Sequence, residues 1–128
     1  LGASGVQMGT VFLASEECPV TDAYKNMILE AVDTSTTLTG EKFGAPVRGI
    51  KNELTKRYHE LEEQSSTLME LEELTLGSLR RAVYDGDVEN GSVMAGQIAG
   101  LVNEIRPVKN IIEDVIKEAR EVLEKTEI

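Results

Sequence analysis

Three stretches of this 128-residue chain carry residue types that could do chemistry. The first is GVQMGT, Gly5–Thr10, where Gln7 and Met8 lead into Gly9 and Thr10. A glycine lets the backbone approach a ligand with no side chain in the way. Amides exposed at the start of a helix favour an anion such as phosphate. A plain strand-to-helix turn has the same local pattern. The second stretch is NGSVMAGQIAGLV, Asn90–Val102. Ser92, Gly96 and Gly100 are four apart, and so are Ala95 and Ala99. On a helix this leaves one side nearly bare, and each mid-helix glycine costs about 1 kcal/mol relative to alanine. Either a neighbouring backbone or a flat ligand would then come close, with Met94 and Gln97 flanking the bare surface. The third is His59, the only histidine, which lies off the apolar stripe of a charged helix and reads as a solvated side chain.

Other signals are weaker. Cys18 is alone, so no disulfide framework or multi-cysteine zinc site is expected. Glu16 and Glu17 beside it disfavour a thiolate, which makes an inert cysteine the expectation. With 23 acidic residues, paired carboxylates occur by chance, and none stands out as an acid–base pair. The acidic stretch Glu60–Glu73 reads as a solvated face. There is no nucleophile elbow, P-loop or dinucleotide fingerprint. No catalytic residue and no metal ligand is assigned.

The net charge of −10 argues against nucleic acid and anionic membranes as partners. No apolar run approaches the roughly 20 residues that span a bilayer. No signal peptide is visible, and a reduced, cytoplasmic setting is expected. Leu1-Gly2-Ala3 runs directly into a strand-like segment, so the chain reads as a piece of a longer polypeptide.

The elements that must position these residues follow from periodicity. Gly5–Met8 reads as a strand, and Thr10 as the cap of a short helix ended by Pro19. Thr21 or Asp22 starts a helix through Tyr24, Met27, Ile28 and Ala31. Asp33–Gly40 is a strand or an extended loop, and Glu41–Val47 a turn-rich link. A long helix is expected from Arg48 to Gln64, with Ile50, Leu54, Tyr58 and Leu61 as its stripe. After a break at Ser65-Ser66 come a second helix to Leu76, a short one over Gly77–Tyr84, and a turn at Asp85-Gly86-Asp87. Ser92–Val102 is expected as a helix. Pro107 fits the first turn of the last helix, whose stripe runs through Ile111, Ile112, Val115, Ile116, Val122 and Leu123. Glu113–Lys117 and Glu121–Lys125 are expected as supporting pairs. A closed eight-stranded barrel needs about 200 or more residues, so this chain alone cannot build one.

Taken in order, these segments are similar to a known family. GVQMGT, FLASEECPV and YKNMILEA (5–31), TLTGEKFGAPVRGIKNELT (37–55) and GSLRRAVYDGDVENGSVMAGQIAGLV (77–102) resemble the flavin-dependent bacterial enoyl-acyl-carrier-protein reductases, relatives of the nitronate monooxygenases. The resemblance implies an α/β fold: the C-terminal part of an FMN-binding (β/α)₈ TIM barrel, its last strand plus a helical tail, with the 128 residues mostly α. Residues 1–32 would be the last barrel strand and following helices, and 33–128 a linker and helical segment of the same domain. It implies FMN as cofactor, NAD(P)H as reductant, an enoyl thioester on acyl carrier protein as substrate, and a homodimer. The FMN phosphate would meet the amides of Gly9 and Thr10, with Gln7 and Met8 adjacent, and Met94, Gly96 and Gln97 complete the expected cofactor set. The family's active-site histidine would lie upstream of Leu1, so His59 is not its equivalent and the isolated chain is expected to be inactive. Two positions depart from the family pattern: Val11 stands where Arg is common, and Ala45 where His is common.

Two other functions compete: a nitronate monooxygenase using FMN and oxygen, and a non-catalytic acidic helical oligomerisation or binding fragment. For an acidic carrier protein, attraction would need a local basic spot. Arg80-Arg81, or Lys51, Lys56 and Arg57, are candidates.

Overall fold

The computed structural model describes residues 2–64 and 66–126. Leu1, at the strand-like start, and Ser65, in the expected helix break, lie outside the described residues. Among the described residues there are six α-helices and one hairpin: α1 Thr10–Leu13, α2 Asp22–Leu29, β1 Thr36–Thr39, β2 Val47–Ile50, α3 Glu53–Glu63, α4 Leu68–Thr75, α5 Ser78–Arg80 and α6 Val108–Thr126. A π turn, Arg81–Asp85, continues α5, and 3₁₀ turns occupy Glu41–Phe43 and Gln97–Leu101.

The hairpin pairs antiparallel, with Thr36 opposite Ile50 and Thr39 opposite Val47. Its connection needs glycine at Gly40: φ is +79°, and a Cβ there would stand 2.4 Å from the Ala45 carbonyl oxygen. Arg48–Ile50 therefore belongs to a strand and does not open the long helix expected from Arg48. Pro46 disfavours helix just ahead of it, the β-branched Val47 and Ile50 suit a strand, and Thr36–Thr39 offers a ladder. The helix instead starts at Glu53, where Asn52 and Thr55 form a reciprocal capping box. Asn52 Nδ2 also donates to the carbonyls of Val88 and Gly91, 2.7 Å each.

The core joins α2 (Tyr24, Ile28), β2 (Ile50), the π turn (Ala82) and the later loop (Val93, Ala95, Ala99, Val102). That loop corrects a second expectation, because Ser92–Val102 is not one helix. Ser92–Gly96 runs beside β2, with the Ile50 amide donating to the Val93 carbonyl at 2.8 Å and Met94 bridging Gly49. Glycines weaken helix propensity, and the open edge of β2 supplies the competing hydrogen bonds. The small residues serve separate neighbours. Ser92 Oγ lies 2.6 Å from Ser78 Oγ. A Cβ on Gly100 would stand 2.8 Å from the Val32 backbone.

Gly5–Met8, expected as a strand, has no ladder, because among the described residues no other strand lies beside it. The cap of α1 is Gly9, not Thr10. On α6 only Ile111 of the apolar stripe is buried, and Val122 and Leu123 are exposed. Among the described residues its internal ion pairs are Lys109–Glu113 and Lys117–Glu121, not the pairs expected from sequence, since each glutamate faces the lysine one turn earlier. Glu17 accepts from the Val108 amide at 2.9 Å and so caps α6 from a distant part of the chain. No helix among the described residues is long and apolar enough to cross a membrane.

Candidate functional site

The two glycine-bearing stretches meet. The Gly96 amide donates to Thr10 Oγ1 at 2.8 Å, across 86 residues of sequence. A Cβ on Gly96 would stand 3.2 Å from that hydroxyl, while a Cβ on Gly9 would meet nothing within 4 Å. Gly96 is thus small because Thr10 is close. Gly9 leaves open space.

Two adjoining cavities share Gly9 and Thr10. One, of about 370 Å³, is lined by Gly9, Thr10, Leu13, Arg48, Met94, Ala95 and Gly96. The other, of about 540 Å³, takes in Gln7, Met8 and Val11 on one side and Ile98, Leu101 and Val115 on the other. Mainly apolar walls with a few polar groups are the usual make-up of a small-molecule site. Of the residues expected from sequence, Gln7, Met8, Gly9, Thr10, Met94 and Gly96 line these cavities. Gln97 lines neither: it is exposed and opens the 3₁₀ turn.

Tyr24 fixes the far wall. Its ring is buried, and its hydroxyl donates to the Met94 carbonyl at 2.7 Å. Burial is the main cause that pushes this phenol up to about 12, against a smaller lowering by the Met94 bond. The Ala95 amide donates to the Arg48 carbonyl at 3.3 Å, so β2 holds the same segment from its other side. Lys25 is buried beneath the α1–α2 connection, with Nζ donating to the Ser15 carbonyl at 2.7 Å.

Sequence reasoning missed Tyr24 and Arg48. Tyr24 reads as one more apolar position on a helix face, and Arg48 was assigned to a helix that does not form there. His59 also differs from expectation. It is tethered, with Nε2 3.1 Å from Thr37 Oγ1 and Nδ1 3.3 Å from Glu62 Oε2, because α3 packs on β1. It lies outside both cavity linings. Among the described residues no group of His, Cys, Asp or Glu side chains could hold a metal ion.

The nitronate monooxygenase family model matches residues 1–118. A probable nitronate monooxygenase of Staphylococcus saprophyticus is 33% identical over 125 residues, covering 98% of this chain and 35% of the relative. One of Staphylococcus aureus strain MSSA476 is 28% identical over 124 residues, covering 97% of this chain and 35% of the relative. Among solved structures, FabK from Thermotoga maritima superposes with a TM-score of 0.90 at 48% identity, over 97% of this chain and 39% of FabK. A FabK mutant from the same organism gives 0.81 at 44% identity, over 97% of this chain and 37% of that one. The fold is therefore that of the C-terminal part of a (β/α)₈ barrel with its helical tail. The chain belongs to the nitronate monooxygenase family. It spans only about a third of the length of the curated relatives it matches, 35% in each of the two described.

Proposed function

We propose that this chain forms the cofactor-binding C-terminal part of an FMN-dependent reductase that acts on enoyl thioesters of acyl carrier protein, with NAD(P)H as reductant. The supporting observation is the contact between Thr10 and Gly96 at the shared edge of two apolar-walled cavities. The residues present fit a phosphorylated planar group: Gly9 faces open space, and few side chains there carry charge. When bound, FMN supplies hydride transfer from the nicotinamide to the double bond. In this reading residues 1–32 and 33–128 are parts of one domain, and the functional unit is a cytoplasmic homodimer.

The chain's own residues bind and orient. Gly9 and Thr10 offer backbone amides, Gln7 and Met8 line the approach, and Met94 and Gly96 shape the opposite wall. The Tyr24 hydroxyl donates to the Met94 carbonyl and so ties that segment to α2. The match to FabK at 48% identity favours the reductase. The curated relatives favour nitronate oxidation as the second reading. A third reading, a non-catalytic acidic binding piece, draws only on the exposed apolar side of α6.

Assays in the natural full-length context separate them. The reductase reading expects NADH-dependent reduction of crotonyl-acyl carrier protein, at least about 100-fold faster than nitronate oxidation, a gap equivalent to roughly 3 kcal/mol in barrier height. Efficient nitronate oxidation without nicotinamide would reverse the assignment. A protein that neither holds flavin nor turns over either substrate would leave the third.

A further inference from the structure

Met94 stands where its neighbours have almost no side chains. Its cross-strand partner is Gly49, where a Cβ would stand 2.9 Å from the Val93 carbonyl oxygen, so the close approach of the two segments keeps that position bare. Ala95 and Gly96 follow it in the chain. The backbone around it is pinned at four successive residues. The Val93 carbonyl accepts from the Ile50 amide at 2.8 Å, and the Met94 carbonyl from the Tyr24 hydroxyl at 2.7 Å. The Ala95 amide donates to the Arg48 carbonyl at 3.3 Å, and the Gly96 amide to Thr10 Oγ1 at 2.8 Å. A segment held in this way cannot rotate to withdraw its side chain. Met94 is 40% exposed and lines both the 370 Å³ cavity and a narrow crevice formed with Leu54, Tyr58 and Ser92. Among the other methionines, Met69 on α4 is 70% exposed and lines neither space, while Met27 packs against the core.

We propose that Met94 is a redox-sensitive residue: hydrogen peroxide converts its thioether to the sulfoxide, and the sulfoxide loosens the cavity wall. The sulfur lone pair forms an S–O bond to one peroxide oxygen as the O–O bond breaks. The departing hydroxide takes the proton from the new S–OH group and leaves as water. The sulfide thus loses two electrons and the peroxide gains them. A flexible apolar side chain becomes a polar one between two largely apolar spaces, where a group without its hydrogen bonds is unfavourable. Enzymatic reduction of the sulfoxide restores the thioether. Only an exposed thioether and peroxide are needed, so this role of Met94 stands apart from the flavin reading.

The test treats the whole chain with dilute hydrogen peroxide. Peptide mass spectrometry follows each methionine, and amide hydrogen exchange follows Ile50, Ala95 and Gly96, whose bonds hold the wall. Met94 and Met69 are expected to oxidise within about threefold of each other in rate, and Met27 at least about tenfold more slowly, as exposure dictates. In Met69→Leu, exchange at the three amides rises about tenfold as Met94 oxidises, the sign of local opening, and falls back after treatment with methionine sulfoxide reductase. In Met94→Leu, peroxide oxidises Met69 and leaves exchange at those amides unchanged. Because Met69 lies outside the wall, its variant carries the test even if Met94→Leu folds poorly. Met94 oxidising as slowly as Met27 overturns the proposal. So does fully oxidised Met94 in a chain whose three amides exchange as before.

Discussion

Tyr24 and Gly96 show how single residues set the site. The Tyr24 hydroxyl reaches the Met94 carbonyl across 70 residues of sequence. Tyr24→Phe should cost about 1 kcal/mol at neutral pH, the net value of one hydrogen bond. It should also change the alkaline response. Because burial lifts this phenol from 10.0 to about 12, its protonated form is favoured in the fold. That contribution is fully present below pH 10 and is lost as pH rises toward 12. Urea unfolding at pH 7.5 and at several points above pH 10 should show a smaller loss in Tyr24→Phe than in the wild type, since Tyr58, also pushed up by burial, still titrates in both. At Gly96, φ is −78°, which any residue adopts, so Gly96→Ala leaves the backbone unstrained. Its methyl crowds Thr10 Oγ1 at 3.2 Å. Stability should change by under about 1 kcal/mol while FMN affinity falls about tenfold, read by flavin fluorescence. Glycine at position 96 was legible in the sequence as a sign of close approach, whereas Gly9 faces open space. The partner was not, since a contact across 86 residues leaves no local periodicity.

At the scale of elements, local chemistry was readable where it was self-contained. Thr21 at the start of α2 accepts from the Tyr24 amide, as its type and position indicated. Gly86 at the expected turn has φ +72°. The reading failed where a neighbour decided the outcome. Ile50 fits a helical stripe with Leu54 and Tyr58, and all three are buried, yet Ile50 gets there from a strand. The capping box at Asn52 and Thr55 was the missed signal for the true helix start. Asn52→Ala should destabilise by about 2 kcal/mol, combining the lost cap with the unpaired Val88 and Gly91 carbonyls. Thermal unfolding checks the size, and loss of amide protection in 85–91 checks the cause. Gly100→Ala should be more damaging than Gly96→Ala, because its Cβ would meet the Val32 backbone at 2.8 Å and not a movable side chain. A helix over Ser92–Val102 would predict the reverse mildness at Gly100.

At the scale of the whole molecule, the 128-residue chain matches 39% of the FabK chain and about a third of its curated relatives. Family motifs spread in order along the sequence made the kinship legible, and the TM-score of 0.90 agrees with it. Gly5–Met8 reads as a strand from its local pattern but has no ladder among the described residues, because a strand is defined by its neighbours. The exposed Val122 and Leu123 on α6 are likewise apolar in a pattern that burial within this chain does not explain. In the proposed function, Gly9–Thr10 and Met94–Gly96 together form one face of a flavin site. This is tested most directly by following backbone amide resonances of the chain during titration with FMN. Gly9, Thr10, Ala95 and Gly96 are expected to shift together and saturate at one ligand concentration, while Gly49 and Gly100 stay in place. Saturating FMN that moves none of those four amides, or moves a different surface, would contradict it.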